Sequence, residues 1–136
     1  NKVHINNENR SINVRYFEKL KKYGKLYTIG KGKPHKGFEH LPCEDWNDTI
    51  RQLEKLDIVI TVDTSIVHMC GALGKPCWVL MPKMDTDFRW GDSSMGHDNV
   101  WYKSVSVIRN PKSWDKVFED VHRLMEGVLN AGDKQE

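Results

Sequence analysis

The chain has 136 residues, a length that usually builds one hydrophobic core rather than two. It is 38% hydrophobic and 29% charged, with five Trp, four Tyr and four Phe, which is enough apolar material for a packed interior. Its 21 basic and 19 acidic residues leave a formal net charge of +2, too weak a field to favour nucleic acid as a partner. We therefore expect a single domain over residues 1–136 that binds no nucleic acid.

The apolar stretches and the cysteines both bear on the compartment. The longest apolar runs, 58–62 and 77–81, are strand-sized and far short of the ~20 residues that span a bilayer. The three cysteines are odd in number and lack the paired short spacings of a zinc or redox motif, which favours reduced thiols. We expect no transmembrane segment and a cytoplasmic location. Because the chain starts at Asn1 without a signal stretch, we also expect it to be part of a longer protein.

Hydrophobic periodicity predicts four helices and four strands. In chain order these are a helix over 12–23, a strand over 25–29, a helix over 46–56, a strand over 58–62, a helix opened by 63–65 and ended by Gly74, a strand over 76–81, a strand over 104–108 and a helix capped by Ser113. A glycine-rich loop is predicted at 30–37 and a long polar loop at 83–103.

The sequence also predicts how one helix is capped and how deeply one strand and one helix are buried. Asp45 and Asp48 resemble a capping box at the start of the second helix. The run 58–62 is nearly all β-branched, which is typical of a strand buried on both faces of a parallel sheet. The helix after it is apolar nearly all round, so we expect it to be largely buried. Strands separated by helices predict an α/β fold, a Rossmann-like, doubly wound parallel sheet with helices on both faces.

In such a sheet, ligands bind outside the carboxyl ends of the strands, and one turn there carries suitable residues. Asp63, Thr64 and Ser65 lead the buried strand into the next helix, whose free N–H groups can hold a diphosphate. His68 follows one turn later and could donate a hydrogen bond to a phosphate or leaving group. The alternative is that Asp63 or Thr64 only caps the helix and that His68 is a structural, half-buried histidine.

Residues 56–80, which include this turn, closely resemble the nucleotide-sugar-binding signature of the GT-B glycosyltransferases related to the heptosyltransferases. The bacterial members in which this domain follows tetratricopeptide repeats are the most similar. Residues 4–12, with Asn9-Arg10-Ser11-Ile12, are similar to the Asn-Asp-X-X-Arg-Ser-Ile loop of that group. Residues 87–90 and 101–102 resemble its Asp-Trp-Arg-Trp and Trp-Tyr elements. The resemblance thus covers nearly the whole chain.

The resemblance implies the donor-binding, C-terminal half of a GT-B fold, and a nucleoside-diphosphate sugar as the ligand. Asp63, Thr64, Ser65 and His68 occupy the Asp-Thr-Gly/Ala-X-X-His positions, where the family binds the donor's diphosphate and sugar. Ser65 departs from the family's small residue, and its side chain either adds a hydrogen bond or narrows the pocket.

Three basic residues complete the implied binding set. By similarity, Lys31 would lie near the phosphates or nucleoside, Arg89 would face the donor sugar or the acceptor, and Arg10 would add a further cation. Alternatives stay open, since Lys31 can be a solvated loop lysine and Arg89 can be stacked between aromatic neighbours. The four scattered aspartates of the 83–103 loop form no metal cluster, so we expect a metal-independent mechanism without a cofactor.

Two functions remain open at this point. The first is the donor domain of a hexosyl- or heptosyltransferase, inactive alone because the partner domain supplies the acceptor contacts and the catalytic base. The second is a non-catalytic nucleotide-binding or protein-interaction module derived from that domain. The resemblance also implies a strand ahead of the loop at 4–12, and the edge left open without it could pair in a homodimer.

Overall fold

The computed structural model describes residues 11–81, 88–91, 98–110 and 112–133, which form a mixed α/β fold. In chain order the elements are helix α1 (Val14–Glu18), a 3₁₀ turn (Lys19–Tyr23), strands β1 (Tyr27–Gly30) and β2 (Glu39–Pro42), helix α2 (Trp46–Glu54), strand β3 (Val59–Val62), helix α3 (Ser65–Leu73), strand β4 (Cys77–Met81), a 3₁₀ turn (Phe88–Trp90), strand β5 (Val105–Arg109) and helix α4 (Trp114–Asp133). Among these residues, none of the helices has both the length and the apolar character that a membrane crossing requires.

The strands form two separate parallel sheets. In the first, β1 pairs with β2 and Tyr27 lies opposite Glu39. In the second, β4 lies between β3 and β5, and Cys77 is in register with Val59 and Val105. The predicted parallel α/β character is confirmed. The expected single, continuous sheet is not what the described residues form, because no hydrogen-bonded pairing joins β1 or β2 to the larger sheet.

Each of the eight predicted elements is present, with shifts at its ends. The first helix begins at Val14 rather than residue 12 because the Asn13 side chain caps it, accepting a hydrogen bond from Arg15 N at 3.0 Å. Strand β2 was not predicted. Its sequence, Glu-His-Leu-Pro, contains residues with little preference for strands and ends in a proline, so its pairing with β1 is decided by tertiary packing.

The core consists of two hydrophobic clusters on opposite faces of the larger sheet, because successive residues of a strand point to opposite sides. We call the face of β4 that carries Val79 the front face and the face that carries Leu80 the back face. Helices α2 and α3 cover the front face through Leu53 and Val67. On the back face, α1, its 3₁₀ extension and α4 pack through Phe17, Leu20, Val117, Phe118 and Val121.

Helix α3 corrects one expectation. It was predicted to be largely buried, yet only Val67 and Cys70 are buried, and Leu73 is 41% exposed. The helix packs on the sheet with one side only, so its apolar outer side faces a shallow groove beside Trp46 of α2. The helix does end as predicted, at Gly74, whose φ of 68° is the left-handed conformation that glycine adopts without strain.

The cysteines agree with the prediction of reduced thiols. Cys43, Cys70 and Cys77 are all free and buried. A hydrogen bond with Cys70, together with burial, raises the pKa of the Cys77 thiol. A thiol with a raised pKa is a poor nucleophile, so Cys77 acts as a core residue rather than a reactive one.

The predicted N-cap of α2 is confirmed, although the returning hydrogen bond of the capping box goes to the residue before the cap. Asp45 accepts a hydrogen bond from Asp48 N at 2.8 Å, and the Asp48 carboxylate accepts one from Glu44 N at 3.1 Å. Replacing Asp45 with alanine should lower the free energy of unfolding by about 1 kcal/mol, because a helix N–H loses its acceptor. Urea denaturation measures this change. Asn47→Ala, at an exposed position in the same helix turn, should stay within about 0.5 kcal/mol of the parent chain, and equal losses for both variants would contradict the capping role.

Candidate functional site

The turn between β3 and α3 lies at the carboxyl end of a parallel strand, as predicted. Thr64 is the N-cap of α3, with φ −140° and ψ 171°, and its carbonyl accepts a hydrogen bond from Val67 N at 3.1 Å. The Thr64 side chain makes no capping hydrogen bond. As a result, the backbone N–H groups of Ser65 and Ile66 have no acceptor within the described part of the chain. These donors lie at the positive end of a nine-residue helix.

The Thr64 hydroxyl is itself unusual. Its Oγ1 atom is buried and has no hydrogen-bond partner among the described residues. Leaving a buried hydroxyl unpaired costs about 1–3 kcal/mol, so such groups normally find a partner. A threonine that served only as a cap would bond its hydroxyl to the helix N–H groups, and Thr64 does not. The hypothesis that Thr64 is merely a cap therefore does not account for its geometry.

His68, one turn into α3, is held by two aromatic residues. Its Nδ1 lies 3.0 Å from the Tyr102 hydroxyl, and its ring stacks on Trp90 with a centroid distance of 5.4 Å. The imidazole is partly buried, and its Nε2 has no hydrogen-bond partner in the part of the chain that the structure describes. The ring is thus fixed in place through one nitrogen while the other can meet a ligand.

Tyr102, which holds His68, was not singled out as a site residue by the sequence. The backbone N–H groups of Trp101 and Tyr102 donate to Asn99 Oδ1 at 3.0 and 2.8 Å, and this turn directs the tyrosine against α3. Its ring lies so close to Gly71 that a Cβ at that position would be 2.3 Å from the ring carbons. The sequence did contain a signal for this residue, because the Trp-Tyr pair at 101–102 is one of the elements that resemble the family.

The 3₁₀ turn 88–90 lies beside α3 because its Trp90 ring stacks on His68. Trp90 is fully buried against His68, and the Arg109 guanidinium donates hydrogen bonds to the backbone carbonyls of Trp90 and Gly91. These contacts anchor the turn while Arg89 remains exposed on it. The buried Nε1 of Trp90 has no hydrogen-bond partner among the described residues, so a second unpaired donor lies beside His68.

No described contact joins the remaining predicted binding residues, Lys31 and Arg10, to Thr64 or His68. Lys31 is exposed in the loop after β1 and makes no hydrogen bond or ion pair within the described ranges. Arg10 lies outside the described residues, as do three of the four aspartates of the 83–103 loop. In the described part of the chain, no group of three His, Cys, Asp or Glu side chains could hold a metal ion.

Comparison of the chain with family models, with curated proteins and with solved structures found no match.

Gly71 contacts the Tyr102 ring, whereas a Cβ added at Gly127 contacts nothing, so replacing each of these helical glycines with alanine should have opposite effects on stability. Gly71→Ala should lower the free energy of unfolding by about 1–3 kcal/mol, because the new methyl group must displace the tyrosine ring. Gly127→Ala, at an exposed position of α4 with nothing within 4 Å of the added Cβ, should raise it by up to about 1 kcal/mol. Chemical denaturation gives both values, and two stabilised variants would show that Tyr102 does not pack on α3.

Proposed function

We propose that this chain is the donor-binding domain of a metal-independent glycosyltransferase of the GT-B type, with a nucleoside-diphosphate sugar as its ligand. The observation that carries the proposal is the buried, unpaired hydroxyl of Thr64 at the N-terminus of α3. It lies where the resemblance to the heptosyltransferase-related enzymes has the donor's diphosphate bind. In this proposal the two parallel sheets and their helices are the C-terminal half of the two-domain fold.

The chemistry of the helix start suits a diphosphate. The N–H groups of Ser65 and Ile66 are free donors among the described residues, and the helix dipole adds the equivalent of about half a positive charge. The hydroxyls of Thr64 and Ser65 supply two further donors. Burying the Thr64 hydroxyl without a partner costs free energy in the unliganded protein. A phosphate oxygen that accepts a hydrogen bond from this hydroxyl would recover that cost, which favours binding.

His68 and Arg89 suit the departure of the leaving group. When the bond between the anomeric carbon and the phosphate oxygen breaks, negative charge accumulates on the diphosphate. A hydrogen bond from His68 Nε2 and the guanidinium of Arg89 would stabilise that charge, as would the helix N–H groups. The base that deprotonates the acceptor belongs, by the resemblance, to the other domain. This chain alone should therefore bind the donor without transferring the sugar.

A protein-interaction module is the second candidate, and one observation favours it. The outer sides of α2 and α3 form an apolar groove whose lining includes Trp46, Ile50, Met69 and Leu73. Trp46 is 57% exposed, which is unusual for the largest apolar side chain. In this alternative the groove binds a protein and the helix start is inactive, so the two candidates differ in whether a nucleotide binds.

Thermal unfolding with ADP, UDP, GDP and their hexose conjugates tests the donor site. A ligand present at about 100 times its dissociation constant should add about 2.7 kcal/mol, which raises the midpoint by several degrees. Thr64→Val should clearly reduce that rise, because one of several phosphate donors is lost. It should leave the free protein as stable as the parent or up to about 1 kcal/mol more stable, because an unpaired buried hydroxyl is removed.

Thr49→Val is the matched control. Thr49 is also buried, but its hydroxyl donates to the Asp45 carbonyl at 2.9 Å. This variant should lose about 1 kcal/mol of stability and keep the full shift with nucleotide. If no nucleotide raises the midpoint of the folded chain, or if Thr64→Val keeps the rise, the donor site as described is wrong.

A further inference from the structure

Asn99 holds the turn that carries Tyr102. Its side-chain oxygen accepts hydrogen bonds from the backbone N–H groups of Trp101 and Tyr102 at 3.0 and 2.8 Å, and its amide group donates to the Val105 carbonyl. The Tyr102 ring lies against α3 at Gly71, where an added Cβ would overlap the ring carbons. Because both the backbone and the ring of Tyr102 are held, its hydroxyl has a set position beside α3.

The Tyr102 hydroxyl makes one hydrogen bond within the described part of the chain, and its partner is His68 Nδ1 at 3.0 Å. In a neutral pair of this kind, either group can donate the proton. A phenol O–H is a better donor than an imidazole N–H, and an unprotonated imidazole nitrogen is a better acceptor than a phenol oxygen. If Nδ1 donated instead, the hydroxyl proton would have no acceptor among the described residues. The tyrosine therefore donates and Nδ1 accepts.

This direction of the hydrogen bond fixes the tautomer of His68. A neutral imidazole carries one proton, so a ring that accepts at Nδ1 carries its proton on Nε2. A half-turn of the ring about its Cβ–Cγ bond would exchange nitrogen for carbon at both positions, and the Tyr102 hydrogen bond opposes that turn. The ring also stacks on Trp90 at an interplanar angle of 29°, which opposes a tilt. Nε2 is thus a fixed N–H donor without a partner in the described ranges.

We propose that Tyr102 is a positioning residue that holds His68 as the Nε2–H tautomer, so that the neutral imidazole donates a hydrogen bond to an anionic oxygen of the ligand. An N–H at this position attracts a phosphate oxygen, whereas a lone pair would repel it. The tautomer therefore decides the sign of the interaction between His68 and a diphosphate. The identity of the ligand rests on the proposed function, while the tautomer is a property of the free protein.

Nitrogen-15 NMR of the imidazole rings tests the tautomer in the ligand-free, full-length chain. At about pH 8, above the range in which histidine usually takes up a second proton, the Nε2–H form of His68 should exceed the Nδ1–H form by about tenfold or more. Tyr102→Phe keeps the ring on Gly71 and removes only the hydroxyl, so this ratio should fall about fivefold. The spectrum of His68→Ala identifies the His68 signals among those of the six histidines.

Tyr23→Phe is the matched control. The Tyr23 hydroxyl lies 2.9 Å from His122 Nδ1, and Tyr23 packs in the back cluster, whereas Tyr102 packs in the front cluster. This variant removes a hydroxyl in the same kind of contact from the other face of the larger sheet. It should leave the tautomer of His68 unchanged, and it should leave the affinity for nucleotide unchanged as well.

Calorimetric titration with ADP, UDP and GDP tests the effect of Tyr102 on binding. Tyr102→Phe should weaken the affinity for the nucleotide that binds by about fivefold, because the imidazole no longer presents its donor in one orientation. In the His68→Ala background, Tyr102→Phe should have no further effect on affinity. A positioning residue acts only through the group that it positions, and the double-mutant cycle measures this dependence.

Two results would overturn the assignment of Tyr102. The first is a His68 ring that carries its proton on Nδ1 in the parent chain, or whose tautomer ratio does not respond to Tyr102→Phe. The second is an equal loss of affinity from Tyr102→Phe with and without His68, because the hydroxyl would then act on the ligand directly. If the tautomer responds as expected and none of the nucleotides binds the parent chain, the proposed function is wrong and the positioning of His68 by Tyr102 stands.

Discussion

The fold depends on the burial of β4 on both of its faces. All five of its residues are buried, and its alternate side chains supply the centre of each hydrophobic cluster. A strand of this kind requires a neighbour on each side and a helix layer above and below. Those requirements fix β3 beside it and α3 on the front face, and so place the start of α3 at the carboxyl end of β3. The candidate site is a consequence of the way the core is packed.

Helix α3 serves the core and the site with different residues. Val67 and Cys70 bury its inner side, while Thr64, at its N-cap, is part of the site. Tyr102 contacts both the packed side of α3 and the candidate site, because its ring packs on Gly71 and its hydroxyl lies within hydrogen-bond distance of His68. The imidazole is therefore held by residues from outside the helix. In the proposed site, a side chain held in this way before a ligand arrives would lose less entropy on binding.

Local signals in the sequence predicted much of this arrangement. The capping box at Asp45 and the β-branched run ahead of Asp63 depend on near neighbours, and the structure has both where they were expected. Strand β2 has no such signal, since Glu39 and His40 join a strand only because β1 lies beside them. The exposure of Leu73 was missed for a related reason, because composition does not show which side of an apolar helix meets the core.

The α/β character, the order of the predicted elements and the turn at 63–68 follow from local sequence patterns, because hydrophobic period and capping act between residues close along the chain. Tertiary packing places Tyr102 against His68, buries the Thr64 hydroxyl without a partner among the described residues, and divides the described strands into two sheets. Each of these depends on contacts between distant residues, and packing and hydrogen bonding in three dimensions set them.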